Sequence, residues 1–346
     1  MRTAVFHETF RSEARLWDST TQRRLMAVFV VALFTMPLWA SDYALAMACI
    51  VGIHVIATLG LNLTTGNAGL ISLSHGAFLG VGCYTVAYLG KMGVPFWLTL
   101  PAAGLITAAL GIIVGLPSLR VKGIYLAVAT LAAHFVLSFI FREWDSMTGG
   151  VPGTSIPRAN LFGFVFVGDR RNFFLIFAVA FVAALAARNL ARSHFGRAFV
   201  AVRERDFSAE ILGVHLLRTK LLAFAIGAFY AGVAGGLLGY FYGAITPDYF
   251  VLTLSVFYLA AVIVGGLGSV LGSVLGALFM TFVPEALRLI AHASSQWFPD
   301  VAGLLLPLGQ VVFGALIIGF LLFEPHGLAA IWARIRRTFH LWPFKT

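Results

Sequence analysis

Charged residues are scarce in this chain of 346 residues, where they make up 11% of the sequence. Soluble domains carry about 25% charged residues, so an ordinary soluble protein is excluded. Cysteine is scarcer still, with Cys49 and Cys83 as the two representatives, both in apolar segments. This count excludes a disulfide framework and a cysteine-rich metal site, and it predicts that both thiols serve packing.

Motifs of catalysis are also missing from the sequence. It contains no GxxxxGK[ST] phosphate loop and no HExxH, CxxC or GxSxG pattern. We therefore expect no enzyme activity, no metal site and no cofactor in this chain. His54, His75 and His134 lie in apolar segments, and we expect each to hydrogen-bond to a neighbouring helix.

Hydrophobic residues, by contrast, make up 60% of the chain and recur in long runs. Apolar runs of about 20 residues match the thickness of a bilayer, in which a spanning chain must satisfy its own backbone hydrogen bonds. The sequence therefore predicts an all-α polytopic transmembrane helical bundle of about ten spans. These spans are residues 25–40, 43–63, 69–90, 96–116, 123–141, 172–191, 218–243, 251–268, 270–290 and 302–323.

Basic residues set the expected orientation. With the N-terminus inside, the inner segments hold 18 of the 24 Lys and Arg residues. Cytoplasmic loops of membrane proteins carry such an excess, so we expect both termini in the cytoplasm. The net charge of +10 then reflects topology rather than nucleic acid binding. The predicted parts are a cytoplasmic segment 1–24, a transmembrane domain 25–323 with an extracytoplasmic loop 142–171, and a cytoplasmic tail 324–346.

Residues 192–220, which we name the charged segment, interrupt the apolar pattern most strongly. Ten charged residues lie between Arg188 and Lys220, nine of them in the charged segment. At about 2.5–3.5 kcal/mol for each charge at the bilayer centre, burying them would cost on the order of 30 kcal/mol. The charged segment is therefore predicted to lie outside the membrane, on the cytoplasmic side.

As a helix over residues 203–215, the charged segment would place Phe207, Ile211 and Val214 on one stripe. Asp206 would be a helix cap. The pattern leaves two interpretations open: a helix that docks on a partner protein, or an amphipathic helix on the membrane surface.

A second polar feature, residues 62–75, lies within the apolar part of the chain, and we name it the polar run. Polar groups at membrane depth either line a pathway or bond across helices, and the sequence leaves both interpretations open. The candidate pathway residues are Asn62, Thr65, Asn67, Ser72, Ser74 and His75.

Glycines recur at a spacing of four residues, as small residues do where membrane helices approach closely. We expect them to form packing surfaces. They are Gly232 with Gly236, Gly235 with Gly239, and Gly268 with Gly272 and Gly276.

Several stretches together resemble one known family, the M-type permease of branched-chain amino acid ABC importers. They include GLNLTTGNAGLISLSHGAFLGVGCY at 60–84, LPSLRVKGIYLAVATLA at 116–132 and TGGVPG at 148–153. They continue with the block at 196–239, VGGLGSVLGSVLGALFMTFVPEALR at 264–288 and LLFEPHGLAAIW at 321–332.

This resemblance implies a subunit of an ATP-driven importer in the bacterial inner membrane. Its implied partners are a second permease, two ATP-binding subunits and a periplasmic solute-binding protein. It also implies that the charged segment couples the permease to the ATP-binding subunits. The implied coupling residues are Arg197, Arg203, Glu204, Asp206, Ala209, Glu210 and Gly213.

The polar run departs from the usual family motif in ways that leave the cargo open. Asn67, Leu70, Ser74 and Gly76 stand where that motif has Tyr, Gln, Gly and Ala. Branched-chain or related amino acids are the first expectation, and urea, short amides or aromatic acids are alternatives with the same architecture. A secondary transporter or channel is disfavoured, because the predicted spans hold almost no acidic residue or lysine to couple an ion.

Overall fold

The structure is a computed structural model, and it describes residues 35–161, 164–166, 168–295, 302–324 and 326–341. The predicted segment 1–24 and most of the predicted span 25–40 lie outside the described residues. Residues 36–38 form a short 3-10 helix.

Helices make up most of the described chain. They are α1 Asp42–Leu61, α2 His75–Lys91, α3 Phe96–Gly115, α4 Ile124–Glu143, α5 Asp145–Thr148, α6 Asp169–Arg192, α7 His194–Glu204, α8 Asp206–Ile211, α9 Leu216–Tyr242, α10 Leu252–Gly265, α11 Val270–Ser295, α12 Ala302–Phe323 and α13 Leu328–Leu341.

Seven helical stretches among the described residues are long and apolar enough to cross a membrane. This confirms the all-α polytopic bundle, while the expected count of ten spans is not confirmed. The predicted span 69–90 is α2, which is shorter because it begins at His75 and has 17 residues. The predicted span 302–323 coincides with α12.

Helix α9 forms the centre of the bundle, where it packs mainly against α3, α2 and α1. Its glycines permit this close approach, as the four-residue spacing predicts. A Cβ added at Gly82 of α2 would lie 2.1 Å from the carbonyl oxygen of Gly232 in α9. Backbones that approach this closely leave no room for a side chain, so the expected packing surface is confirmed.

Loops gather at the two ends of the bundle. At one end, β1 Thr154–Ser155 pairs antiparallel with β4 Ala244–Ile245, and Arg142 forms an ion pair with Asp248 at 3.0 Å. A second antiparallel pair joins β2 Asn160–Leu161 to β3 Phe164–Val165. The charged segment lies at the other end, beside the loop before α4. Loops expected on the same side of the membrane thus lie together, and the cytoplasmic placement of the termini stays a prediction.

Candidate functional site

Between α6 and α9 the charged segment folds as two short helices, so the single helix considered over 203–215 is wrong. Ser193 caps α7, since its Oγ accepts a hydrogen bond from the amide of Gly196 at 3.4 Å. Arg205 then adopts an extended conformation, with φ −157° and ψ 108°, which separates α7 from α8. Helix α8 ends at Ile211, and Gly213 follows in the left-handed region with φ +88°.

Helix α8 turns its apolar side chains outward. Phe207, Ile211 and Leu212 are 75%, 70% and 82% exposed, and we name these three residues the apolar tip. Val214 lies beyond the end of α8 and is half-buried, so it does not continue the predicted stripe. Ala209 is buried on the inner face. Clustered exposed apolar side chains mark surfaces that contact a partner or a membrane, so both sequence interpretations remain.

Asp206 begins α8 but does not cap it, contrary to the prediction. Its carboxylate instead forms ion pairs with Lys122 at 2.6 Å and with Lys220 at 2.9 Å. Burial raises the pKa of this carboxyl, while hydrogen bonds and charges from the two lysines lower it, and the net pKa lies below the usual value. The carboxylate therefore stays ionised at neutral pH.

Arg203 joins the charged segment to the polar run. Its Nη1 donates a hydrogen bond to the carbonyl oxygen of Gly66 at 2.7 Å, and its guanidinium also pairs with Glu204 at 2.8 Å. Arg197, by contrast, donates to the carbonyl of Arg192 within its own segment. Glu210 in α8 and Gly213 after it are exposed.

The polar run continues α1 as a π-helical turn, Asn62–Asn67, whose residues are all buried. The Asn62 amide bonds to the turn between α10 and α11. Its Nδ2 donates to the carbonyl of Ser269 at 2.8 Å and to Ser273 Oγ at 2.7 Å. Its Oδ1 accepts from the amide of Gly268 at 2.8 Å. Asn62 thus bonds across helices.

Other predicted pathway residues also find partners inside the protein. Thr65 Oγ1 donates to the carbonyl of Leu70 at 3.1 Å, and the hydroxyls of Ser72 and Ser74 lie 3.1 Å apart. Among the described residues, the side-chain amide of Asn67 makes no hydrogen bond, although this residue is only 8% exposed. A pathway role for these residues stays a prediction.

The three intramembrane histidines bond to neighbouring helices, as expected. His54 Nδ1 lies 2.9 Å from Thr281 Oγ1, and His75 Nε2 lies 2.9 Å from the carbonyl of Ala57. His134 Nδ1 lies 3.4 Å from Ser255 Oγ. Within the described ranges, no group of three or more metal-ligating side chains is present.

Sequence reasoning missed the residues that hold α7 and α8 against the bundle. The sequence shows Lys122 and Lys220 only as charges at the ends of apolar runs, yet both pair with Asp206. Phe199 is fully buried in a small apolar cluster that includes Leu70 of the polar run. One signal was available, since Lys220 lies within the predicted span 218–243, where a charge needs a partner.

A pocket of about 270 Å³ lies where the charged segment meets the polar run. Its apolar floor includes Leu70 and Leu126, and its rim carries Arg203, Arg205 and Lys122. Leu70, which stands for a glutamine in the family motif, thus faces the charged segment.

Comparison with known proteins points to the same family that the sequence motifs resemble. A family model described as "branched-chain amino acid transport system / permease component" matches residues 43–321. The chain is 33% identical to the high-affinity branched-chain amino acid transport system permease protein LivM of Salmonella typhimurium strain LT2, over 90% of this chain and 76% of that protein. It is 32% identical to LivM of Escherichia coli strain K12 over the same shares.

The chain is also similar to a second type of permease. It is 32% identical to the permease protein LivH of Salmonella typhimurium strain LT2, over 77% of this chain and 91% of that protein. No solved structure matches the chain.

Proposed function

Because the chain belongs to the family of permease components of branched-chain amino acid transport systems, we propose that it forms the solute pathway of an ATP-driven importer. Its place is the bacterial inner membrane, and its cargo is branched-chain or related amino acids. Like its relatives, the chain is a multi-pass membrane protein with several apolar helices. The cargo assignment rests on LivM and LivH, which are permease proteins of a high-affinity branched-chain amino acid transport system.

Separate ATP-binding subunits supply the energy in this proposal. The sequence has no phosphate loop, so an ATP-driven importer that contains this chain needs another chain to hydrolyse ATP. The observation that carries this part is the apolar tip, exposed on a segment that is itself anchored to the bundle. An exposed apolar helix end of this kind suits a groove on a partner protein better than open solvent.

A second permease completes the pathway. The chain resembles both LivM and LivH, which are permease proteins of the high-affinity branched-chain amino acid transport system in one organism. Two such permeases would enclose a route between them, and a periplasmic solute-binding protein would deliver the solute. The structure of one permease alone therefore gives half of the proposed pathway.

Reconstitution tests this function directly. The chain is placed in liposomes with the second permease, the ATP-binding subunits and the solute-binding protein from its own operon or genome. Uptake of leucine, isoleucine and valine is then measured with and without ATP, beside urea, short amides and aromatic acids. We expect uptake of branched-chain amino acids that requires ATP.

Other outcomes identify the alternatives. ATP-dependent uptake of urea, an amide or an aromatic acid alone would keep the transport mechanism and change the cargo. Uptake that persists without ATP, in the presence of a proton or sodium gradient, would contradict the proposal and indicate a secondary transporter.

The variant Glu210→Gln, at an exposed position of α8, should lower uptake for each ATP hydrolysed.

A further inference from the structure

Helix α8 is only six residues long. Isolated helices shorter than about 12–15 residues are marginal in water. Within the part of the chain that the structure describes, no side chain caps the N-terminus of α8. Its placement must therefore come from contacts with other elements.

Two lysines from different elements hold the first residue of α8. Asp206 pairs with Lys220, in the second turn of α9, and with Lys122, in the loop before α4. The Lys220 side chain is 4% exposed and that of Asp206 is 15% exposed. A buried lysine requires its counter-charge, because an unpaired ammonium in this environment is strongly destabilising.

A second contact ties α7 to α1. Arg203 donates to the carbonyl of Gly66 at 2.7 Å, inside the π-helical turn. Four residues earlier, Asn62 bonds to Gly268 and Ser273, at the start of α11. A continuous path of hydrogen bonds and backbone therefore leads from the charged segment to α1 and onward to α11.

Apolar packing reinforces both contacts. Phe199 of α7 is fully buried against Leu70 of the polar run, Leu126 of α4 and Phe224 of α9. The same elements that supply the polar partners thus supply the apolar floor beneath them. Packed interiors of this kind transmit displacement because they deform little.

We propose that Arg203 and Asp206 are positioning residues that lock α7 and α8 to the π-helical turn after α1, to the loop before α4 and to α9, so that a push on the apolar tip moves these elements. We name Lys122, Arg203, Asp206 and Lys220 the ionic clamp. This inference rests on the proposed function, since an ATP-binding subunit supplies the push. Asp206 directly precedes Phe207 of the apolar tip, so the lock and the contact surface are adjacent in the chain.

The position of the clamp distinguishes it from an ordinary surface ion pair. Exposed pairs contribute little, because water screens them and the long side chains lose freedom. Here Asp206 meets a buried lysine, and Arg203 meets a main-chain carbonyl of a membrane helix. Loss of either contact would let the apolar tip move without the bundle.

Transport and hydrolysis measured on the same liposomes test the inference. The variants Asp206→Asn and Arg203→Gln are reconstituted in the full assembly, and solute taken up per ATP hydrolysed is compared with the wild type. We expect this ratio to fall roughly tenfold while hydrolysis continues. Asp206→Glu, which keeps the charge, should recover most of the ratio.

Glu324→Gln is the matched control. Glu324 pairs with Arg334 at 2.9 Å, and its side chain is 15% exposed, as that of Asp206 is. Glu324 follows the end of α12, and its ion pair shares no residue with Arg203, Asp206 or their partners, so the ratio should stay at the wild-type value. A wild-type ratio in both Asp206→Asn and Arg203→Gln would overturn the inference.

Hydrogen exchange on the full chain in detergent tests the lock without transport. Amides of residues 206–213 should exchange roughly tenfold faster in Asp206→Asn than in the wild type or Glu324→Gln. Lys122→Gln, which changes the exposed partner, gives a milder variant if Asp206→Asn does not fold. Unchanged exchange in the folded variants would overturn the inference. Absence of ATP-dependent uptake by the wild type would instead contradict the proposed function, so the two failures are distinct.

Discussion

The polar run and the apolar tip place their side chains in opposite environments. In the polar run, Asn62 and His75 are buried and bonded to other helices. In the apolar tip, Phe207 and Leu212 face outward at 75% and 82% exposure. In this pair of segments the polar atoms bond helix to helix inside the bundle, while the apolar atoms are left available for contact outside it.

This difference between buried polar and exposed apolar side chains follows from the properties of lipid and water as solvents. Lipid cannot satisfy an amide or hydroxyl, so polar groups at membrane depth bond to one another or to backbone. Exposing a phenylalanine to water is unfavourable, so an exposed phenylalanine on a short helix indicates that another surface covers it.

The largest effect is expected where two membrane helices touch. Gly82→Ala would place a methyl group 2.1 Å from the Gly232 carbonyl, so α2 and α9 must move apart. We expect a loss of about 3 kcal/mol in stability, at the upper end for overpacking in a core. Thermal unfolding in detergent measures it. Gly314→Ala is the control, because its added Cβ would meet no described atom within 4 Å.

The same substitution at two positions of the polar run should have different effects on stability. Asn62→Leu leaves the amide of Gly268 and the carbonyl of Ser269 without their partner, so we expect a loss of about 2 kcal/mol. Asn67→Leu breaks no hydrogen bond among the described residues, so stability should hold.

Uptake separates the two asparagines further. Asn67→Leu should slow ATP-dependent uptake if the amide of Asn67 serves the pathway. Equal loss of stability in both variants would contradict this expected difference. Wild-type uptake in Asn67→Leu would remove Asn67 from the predicted pathway residues.

The third prediction concerns the apolar tip. Phe207→Ser changes an exposed residue, so the stability of the isolated chain should remain within about 0.5 kcal/mol of the wild type. Binding of the ATP-binding subunits should weaken about tenfold, because large apolar anchors dominate such interfaces. Titration of the partner in detergent measures this. Unchanged affinity would favour a surface that lies on the membrane instead.

Sequence reasoning predicted the features that depend on local pattern. The apolar runs, the glycine spacing and the need of buried histidines for partners are all properties of single segments. His54 bonds to Thr281 as expected, and Gly232 packs closely against Gly82. The family resemblance likewise rested on contiguous motifs, and residues 43–321 match the family model.

Contacts between distant segments could not be predicted in this way. Asn62 meets Ser273 across 211 residues of chain, and Arg203 meets Gly66 across 137. The break at Arg205 also lacks a local cause, since neither glycine nor proline is present there. The contacts of Arg203 and Asp206 with other elements set the directions of α7 and α8. The sequence pattern of residues 203–215 carries no information about those contacts, because their partners lie outside it.

The smallest predicted effect compares two glycine turns at opposite ends of the bundle. Gly213 and Gly93 have φ of +88° and +79°, and an added Cβ would meet no described atom within 4 Å at either. Alanine at each position should therefore cost about 1 kcal/mol, from the left-handed backbone alone. Thermal unfolding should show equal losses.

Only Gly213→Ala should also lower solute taken up per ATP, because Gly213 ends the turn that follows the apolar tip. Gly93 joins α2 to α3 at the other end and serves as the matched control. An equal fall in both variants would mean that transport follows stability in general. A fall confined to Gly213→Ala would show that the partner recognises the backbone shape of the charged segment, and that the loss of stability alone does not explain the fall.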